Sequence, residues 1–413
     1  MRRGRYGRWG RAAAVLALTA AAVGAGEPPR PARCAGSVPY TAGTGGYAVY
    51  RIPAVVRTPA GTLLAFAEGR VHGAGDAGAV DLVLRRSSDG GCSWGPLSVV
   101  AAGHGDTRGN PAPVVDPASG DVVLLSSGNA GTATERAVLQ GRVDAAHGRR
   151  VYVQRSTDDG RGFSAPRDIT ASVKRADWRW YATGPGHALA LTHGRYAGRL
   201  VVPANHSAAP APGSTDTGRE PRHYGAHALL SDDGGRSWRI GYVDASYDGQ
   251  VNSNESTVAE LPDGGLYFGT RDQLGDAPGN RADSRSGDGG ATLDRPYAPQ
   301  PALASVPVVQ GSALYVSGPG SGRPGLLLFS APSVPGRRAA EALWTSTDGG
   351  RTLTRALTLS PRPAAYSDLV RVDAETVGVL YETGVRGPYE SIAFRRVPLD
   401  RLSPARPAGV RPG

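Results

Sequence analysis

Ser231-Asp232-Asp233-Gly234-Gly235-Arg236-Ser237-Trp238 is the stretch whose reading decides the fold. An aspartate followed by glycine predicts a tight turn. The carboxylate accepts from nearby backbone N–H groups, and glycine takes a positive φ without steric cost. The closing tryptophan is expected to tuck beneath the turn and fasten it to a sheet. The pattern Ser-x-Asp-x-Gly with a following hydrophobe recurs at residues 87–94, 156–163, 286–293 and 346–353, closed by Trp94, Phe163, Leu293 and Leu353. Successive serines stand 69, 75, 55 and 60 residues apart. Self-similarity at so long a period marks a repeat architecture.

Strand-like runs flank the turns, among them residues 80–85 and 151–155, each alternating or continuously apolar. A hairpin turn at this spacing leaves room for four strands per unit, which favours propeller blades over a sandwich. Dividing the chain after its leader by roughly 65 residues per repeat predicts about six blades, one without a recognisable turn. Composition agrees with an all-β chain: 59 glycines and 33 prolines in 413 residues supply turns rather than long helices.

Arg2, Arg3, Arg5, Arg8 and Arg11 precede an apolar stretch, residues 12–23, that is too short to span a bilayer, and small residues follow it. Residues 1–25 are therefore expected to be a secretory signal peptide, 26–39 a Pro-rich leader, 40–402 the propeller and 403–413 a disordered tail. The mature protein is expected to be secreted and extracellular, with no integral membrane insertion. Half of the net charge of +10 sits in the leader arginines. No basic run or basic helix remains, so nucleic acid is not an expected partner. Lys174 is the single lysine. An arginine-dominated surface suits an anionic small ligand, because a planar guanidinium meets a carboxylate with two hydrogen bonds. Cys34 and Cys92 are the only cysteines. They could pair outside the cell, and the sequence leaves that open.

The five turns resemble the Asp-boxes of the sialidase (neuraminidase) superfamily, and the resemblance spans nearly the whole chain beyond the leader. It implies a six-bladed β-propeller in which the turns are structural, so chemistry must reside elsewhere. Tyr50-Arg51-Ile52-Pro53 resembles the motif carrying the first of three arginines that grip a substrate carboxylate in that family. Arg271, after the strand-like run 266–270, is similar in context to the second. Arg338, eight residues before the last repeat serine, is similar to the third, with adjacent Arg337 as the competitor.

Sialic acid carries its carboxylate on the anomeric carbon, so a carboxylate nucleophile would meet a like charge there. A phenol is neutral at rest and can be activated by a neighbouring base, and sialidases use a tyrosine in this way. Ala365-Tyr366-Ser367-Asp368-Leu369 resembles the nucleophile segment, and Glu255 in Asn254-Glu255-Ser256 matches the base. Asp76, within the glycine-rich run 73–78, matches the acid/base aspartate, with Asp81 as the competitor. Glycines there permit a loop that closes over substrate and excludes water. Arg70 is similar to a residue lining the pocket. Glu382, in Tyr381-Glu382-Thr383-Gly384, resembles a glutamate that orients the first arginine, as a self-repelling arginine cluster requires. The segment from Trp178 to His187 is similar to a pocket edge, while His206 is expected at the rim or surface with no role.

The resemblance implies a retaining exo-α-sialidase acting on terminal sialic acid of glycoconjugates through a tyrosyl intermediate, without metal or organic cofactor. A monomer is expected. A trans-sialidase, or a hydrolase of a related nonulosonic acid, would keep the same site. A glycan-binding propeller without catalysis is the alternative from another class.

Overall fold

The computed structural model describes Met1, Gly4 and residues 34–317 and 325–402. The expected signal peptide and the tail 403–413 lie outside the described residues. Every strand belongs to the unit running from Arg33 to Gly413.

Each repeat turn forms as its residues dictate. In the third copy Asp233 Oδ1 accepts from Arg236 N and Ser237 N, both at 2.9 Å, while Ser231 Oγ accepts from Gly235 N at 2.8 Å. Gly234 and Gly235 stand at φ of 69° and 87°, so the paired glycines are required by the backbone. Trp238 is buried against the strands below. The two copies that end in leucine keep the same turn bonds, Thr292 N and Thr352 N each donating to their aspartates at 2.9 Å.

The sheets are antiparallel meanders arranged as a propeller around a buried axis. Three sheets have four strands and one has five, and an eight-stranded sheet holds the rest. The eight-stranded sheet comprises the runs from Val49 to Ala101 and from Thr107 to Asp168, joined by the single parallel bridge Val80↔Thr107. Where six separate sheets were expected, the structure therefore has five.

Ring closure comes from the N-terminal strand Gly36–Thr41, which pairs with Ser391–Pro398 in the sheet built from the C-terminal end. This strand starts upstream of residue 40, inside the stretch expected to be leader. Cys34 and Cys92 form a disulfide that ties that strand to the first repeat turn. At the axis, Asp368 is fully buried and accepts from Val55 N, His187 N and Ser312 Oγ at 2.8–2.9 Å. One carboxylate thus gathers inner strands from several sheets, each buried backbone donor finding the partner it needs.

Candidate active site

Five innermost strands enter the centre with a defect in their pairing, while Ser312–Val316 pairs in unbroken register. Register breaks fall between Arg51 and Ala54, Gly109 and Ala112, Trp178 and Tyr181, Ser253 and Ser256, and Ala364 and Ser367. A β-bulge bends its strand and re-aims a side chain. The bulged positions hold Ile52, Asn110, Trp180, Glu255 and Tyr366, all of which line one central cavity of about 190 Å³. Ile52, a β-branched residue, is held at φ 58°, where such side chains are rare.

Arg51, Arg70, Asp76, Glu255, Arg271, Arg338 and Tyr366 all line this cavity. They come from segments up to 315 residues apart, yet they touch in a chain. Tyr366 Oη donates to Glu255 at 2.6 Å from Oε1 and 2.8 Å from Oε2. Arg271 Nη1 donates to Glu255 Oε2 at 2.8 Å and to Tyr366 Oη at 3.2 Å. The Arg51 guanidinium carbon lies 5.1 Å from the Tyr366 ring centre and that of Arg338 5.6 Å. Burial, and then the Glu255 charge, hold the Tyr366 phenol well above its ordinary range, while Arg271, Arg51 and Arg338 pull it back. At rest it is a neutral phenol hydrogen-bonded to a base and ringed by cations.

Glu382 lies behind the cavity wall and is fully buried. It accepts from Arg51 Nε at 3.0 Å and Nη2 at 3.3 Å, and also from the backbone N–H of Ile52 at 2.8 Å and of Tyr366 at 3.2 Å. One carboxylate fixes the first arginine, the strained residue beside it and the backbone of the phenol. Asp76 sits on the loop between strands Leu63–Arg70 and Val80–Ser87, with its side chain 57% exposed. Arg70 Nη1 reaches it at 2.8 Å, and Arg51 Nη1 lies 3.8 Å away. The competitor Asp81 accepts from Tyr47 Oη and Gly103 N, both at 2.7 Å, outside the cavity wall. Arg338 reaches the cavity and bonds Tyr389 Oη at 3.0 Å, whereas Arg337 is exposed and turned away. Neighbouring strand residues point to opposite faces, so only one of that pair can enter.

In the segment 178–187, Trp180 lines the cavity, while Trp178 is core. His206, expected at the rim or surface, is instead fully buried. It stacks on Trp178 at 3.8 Å and bonds His227 and Tyr247. Its strand alternates so that Asn205 takes the cavity side and His206 packs behind.

Several residues in the cavity wall or packed against its arginines went unread in the sequence. Arg149 is buried, donates to Tyr181 O, Asn129 Oδ1 and Asn110 Oδ1, and lies 4.2 Å over Trp180; burial pulls it down to about 10. Tyr224 donates to Glu135 Oε1 at 2.8 Å. Tyr389 packs 4.1 Å from the Arg51 guanidinium. None stands in a motif, so no local signal separates them from other arginines and tyrosines. Glu68 explains Arg70: it takes two bonds from that guanidinium and a third from Asn110 N at 2.8 Å.

No residue of the five repeat turns lines this cavity. Among the described residues no helix is long and apolar enough to cross a membrane. Asp216, Glu220 and His223 could hold a metal ion, but Arg222 already occupies both oxygens of Asp216, and none of the three lines the cavity.

Residues 61–379 match the family model described as a BNR repeat-like domain. The chain is 30% identical over 380 residues to an exo-alpha-sialidase of Aspergillus fumigatus, covering 85% of this chain and 84% of that protein. It is 31% identical over 362 residues to a sialidase of Bacteroides fragilis, covering 83% of this chain but only 62% of that protein's length. Among solved structures, a Hadza microbial sialidase superposes with a TM-score of 0.75 at 26% identity, covering 89% of this chain and 69% of that one. The intramolecular trans-sialidase of Ruminococcus gnavus shares the fold at a TM-score of 0.73 and 18% identity.

Proposed function

This chain belongs to the BNR/Asp-box sialidase superfamily, and from that premise we propose that it is a retaining exo-α-sialidase releasing terminal sialic acid from glycoconjugates. The observation that carries the reading is the Tyr366–Glu255 hydrogen bond set among Arg51, Arg271 and Arg338. Three guanidinium groups suit a carboxylate on the reacting carbon, and the phenol avoids the repulsion that an acidic nucleophile would meet.

In the first step Tyr366 Oη attacks the anomeric carbon and passes its proton to Glu255. The glycosidic C–O bond breaks as Asp76 donates a proton to the leaving oxygen. In the second step water attacks the same carbon, Asp76 takes the water's proton, and the tyrosyl bond breaks as Glu255 returns its proton to the phenolate. The arginine cluster offsets charge throughout, in a site where low dielectric strengthens each contact. Glu382 holds Arg51 and the Tyr366 backbone in register, and Arg70 keeps the Asp76 loop at the cavity mouth.

We read the eight-stranded sheet as two blades, which gives six in all; the single bridge between its halves supports this. Export is supported by the leader sequence and by the disulfide, since such bonds persist in oxidising compartments. The test is hydrolysis of a fluorogenic aryl sialoside by the mature protein. Tyr366→Phe should lower turnover by at least about 10³-fold with an unchanged melting temperature. Undiminished activity in that variant would overturn the assignment. Product analysis with and without lactose as acceptor separates hydrolysis from transfer.

A further inference from the structure

The inner strands that meet around Tyr366 at one end enclose a second cavity at the other. Val49–Arg57 brings Arg51 to the first cavity and Val55 and Arg57 to the second; Ala364–Arg371 brings Tyr366 to the first and Leu369 and Arg371 to the second. At about 3.3 Å per strand residue, Tyr366 and Arg371 stand roughly 15 Å apart along the strand. The second cavity measures about 650 Å³, within the range of small-molecule sites. Val55, Val114, Leu369 and Val370 give it a buried apolar wall. Arg57 is exposed and Arg371 half-buried at its mouth, and among the described residues no carboxylate pairs with either. Asp373, the acid at that mouth, is already met by Arg396 Nη2 at 3.3 Å.

His187, only 9% exposed, is the polar group set into this wall. Its Nδ1 lies 2.7 Å from Asp368 Oδ1, and its backbone N–H donates to Asp368 Oδ2 at 2.9 Å. Val55 N and Ser312 Oγ donate to the same carboxylate, both at 2.8 Å. A buried carboxylate needs a counter-charge, and among the described residues His187 is the one partner Asp368 has for an ion pair. The pair is then neutral as a whole. Wherever its shared proton sits between Oδ1 and Nδ1, the remaining imidazole proton is on Nε2. Burial works against charge on His187, but Asp368 outweighs it and raises the imidazole above its ordinary value. With Nδ1 turned to the axis, the opposite ring edge, Nε2, faces the cavity, where no described residue accepts from it. A donor this deeply buried calls for an acceptor, and here only a bound molecule can bring one.

We propose that this far cavity binds a small aliphatic carboxylate, one oxygen accepting from His187 Nε2 and the chain lying on the valine–leucine wall. Burial of apolar surface favours a ligand with a hydrocarbon body over a bare anion. Arg57 and Arg371 favour an anion over a neutral molecule of the same shape, because their charge raises its local concentration at the mouth. The inference goes beyond the sialidase reading and does not rest on it, since no residue of this cavity lines the one around Tyr366.

The experiment titrates the full protein with hexanoate, hexanol and acetate, following the ligand's methyl protons by saturation-transfer difference NMR. Hexanoate should bind with a Kd on the order of 1 mM, and hexanol and acetate each at least about tenfold more weakly. The arginines around Tyr366 also suit a carboxylate, so variants at the far end locate the site. His187→Phe removes the donor and should weaken hexanoate at least about tenfold. Arg57→Glu, at an exposed position, reverses one charge at the mouth and should weaken it about threefold. That variant carries the test if His187→Phe fails to fold. Hexanoate binding left unchanged by Arg57→Glu, or by a folded His187→Phe, overturns the proposal. So does hexanol or acetate binding as tightly as hexanoate, or no saturable hexanoate signal up to about 20 mM.

Discussion

Replacing Glu382 by glutamine changes almost no volume but removes the counter-charge of Arg51. In the native structure that carboxylate takes four hydrogen bonds, two from Arg51 and one each from Ile52 N and Tyr366 N. Both partners of the ion pair are buried, so solvent screens them little. Removing one member of such a pair costs about 3–5 kcal/mol, because the remaining charge is left uncompensated. The amide oxygen can still serve one backbone donor, which keeps Glu382→Gln at the lower end, while Glu382→Ala would add about 1–3 kcal/mol for each orphaned N–H. At about 2.1 cal/mol/K per residue, the folded unit loses roughly 0.8 kcal/mol per degree, so the melting temperature should fall by about 4–6 °C. The bulge at Ile52 relaxes at the same time, since its strained backbone is held by that carboxylate. Arg51 then shifts, and a displacement of about 1 Å in a positioning group costs on the order of 100-fold in kcat/KM. Differential scanning fluorimetry and aryl sialoside kinetics read both effects. A melting temperature within about 1 °C of the parent, together with an unchanged KM, would refute the argument that Glu382 holds the clamp together.

Asp76→Ala should reduce cleavage of natural sialosides by about 10²–10⁴-fold while sparing an aryl sialoside with a good leaving group; equal losses on both would remove Asp76 from the acid role. His206, down to about 3 through burial and then Arg175, and His227, held well below its ordinary value by burial and then His206, are buried neutral. Their contribution is intact above the unfolded value near 6.5 and is lost as pH falls from there toward the folded values. His227→Phe should therefore be less acid-sensitive than the parent, by up to about 2.7 kcal/mol at pH 4.5, in urea titrations at pH 7 and 4.5; parallel losses would refute this. Serine at both Cys34 and Cys92 opens a loop of sequence separation 58 and should cost about 4 kcal/mol, or about 5 °C, with kcat/KM unchanged because the disulfide lies outside the cavity. Lost activity at a temperature where the variant remains folded would count against that separation.

The repeat turns were legible because each is settled within eight residues by the bonding of one aspartate and the φ of its glycines. The site residues were legible one motif at a time, through Tyr50-Arg51-Ile52-Pro53, Asn254-Glu255-Ser256 and the segment around Tyr366. Where no motif marks the residue, the sequence was silent: Arg149, Tyr224 and Tyr389 differ from surface residues only in what surrounds them. His206 misled because a histidine after an asparagine carries no sign of which strand face it takes.

The linear chain by itself therefore determined the turns and the strand character, and it singled out by motif the residues that the fold gathers in one cavity. Tertiary structure decided that Arg338 rather than Arg337 enters, that Cys34 meets Cys92, and that Glu382 reaches Arg51 across 331 positions. The reason is range. Turn chemistry is fixed by neighbours along the backbone, whereas a side chain's direction depends on strand alternation, on the bulge preceding it, and on closure of the ring between the first and last strands.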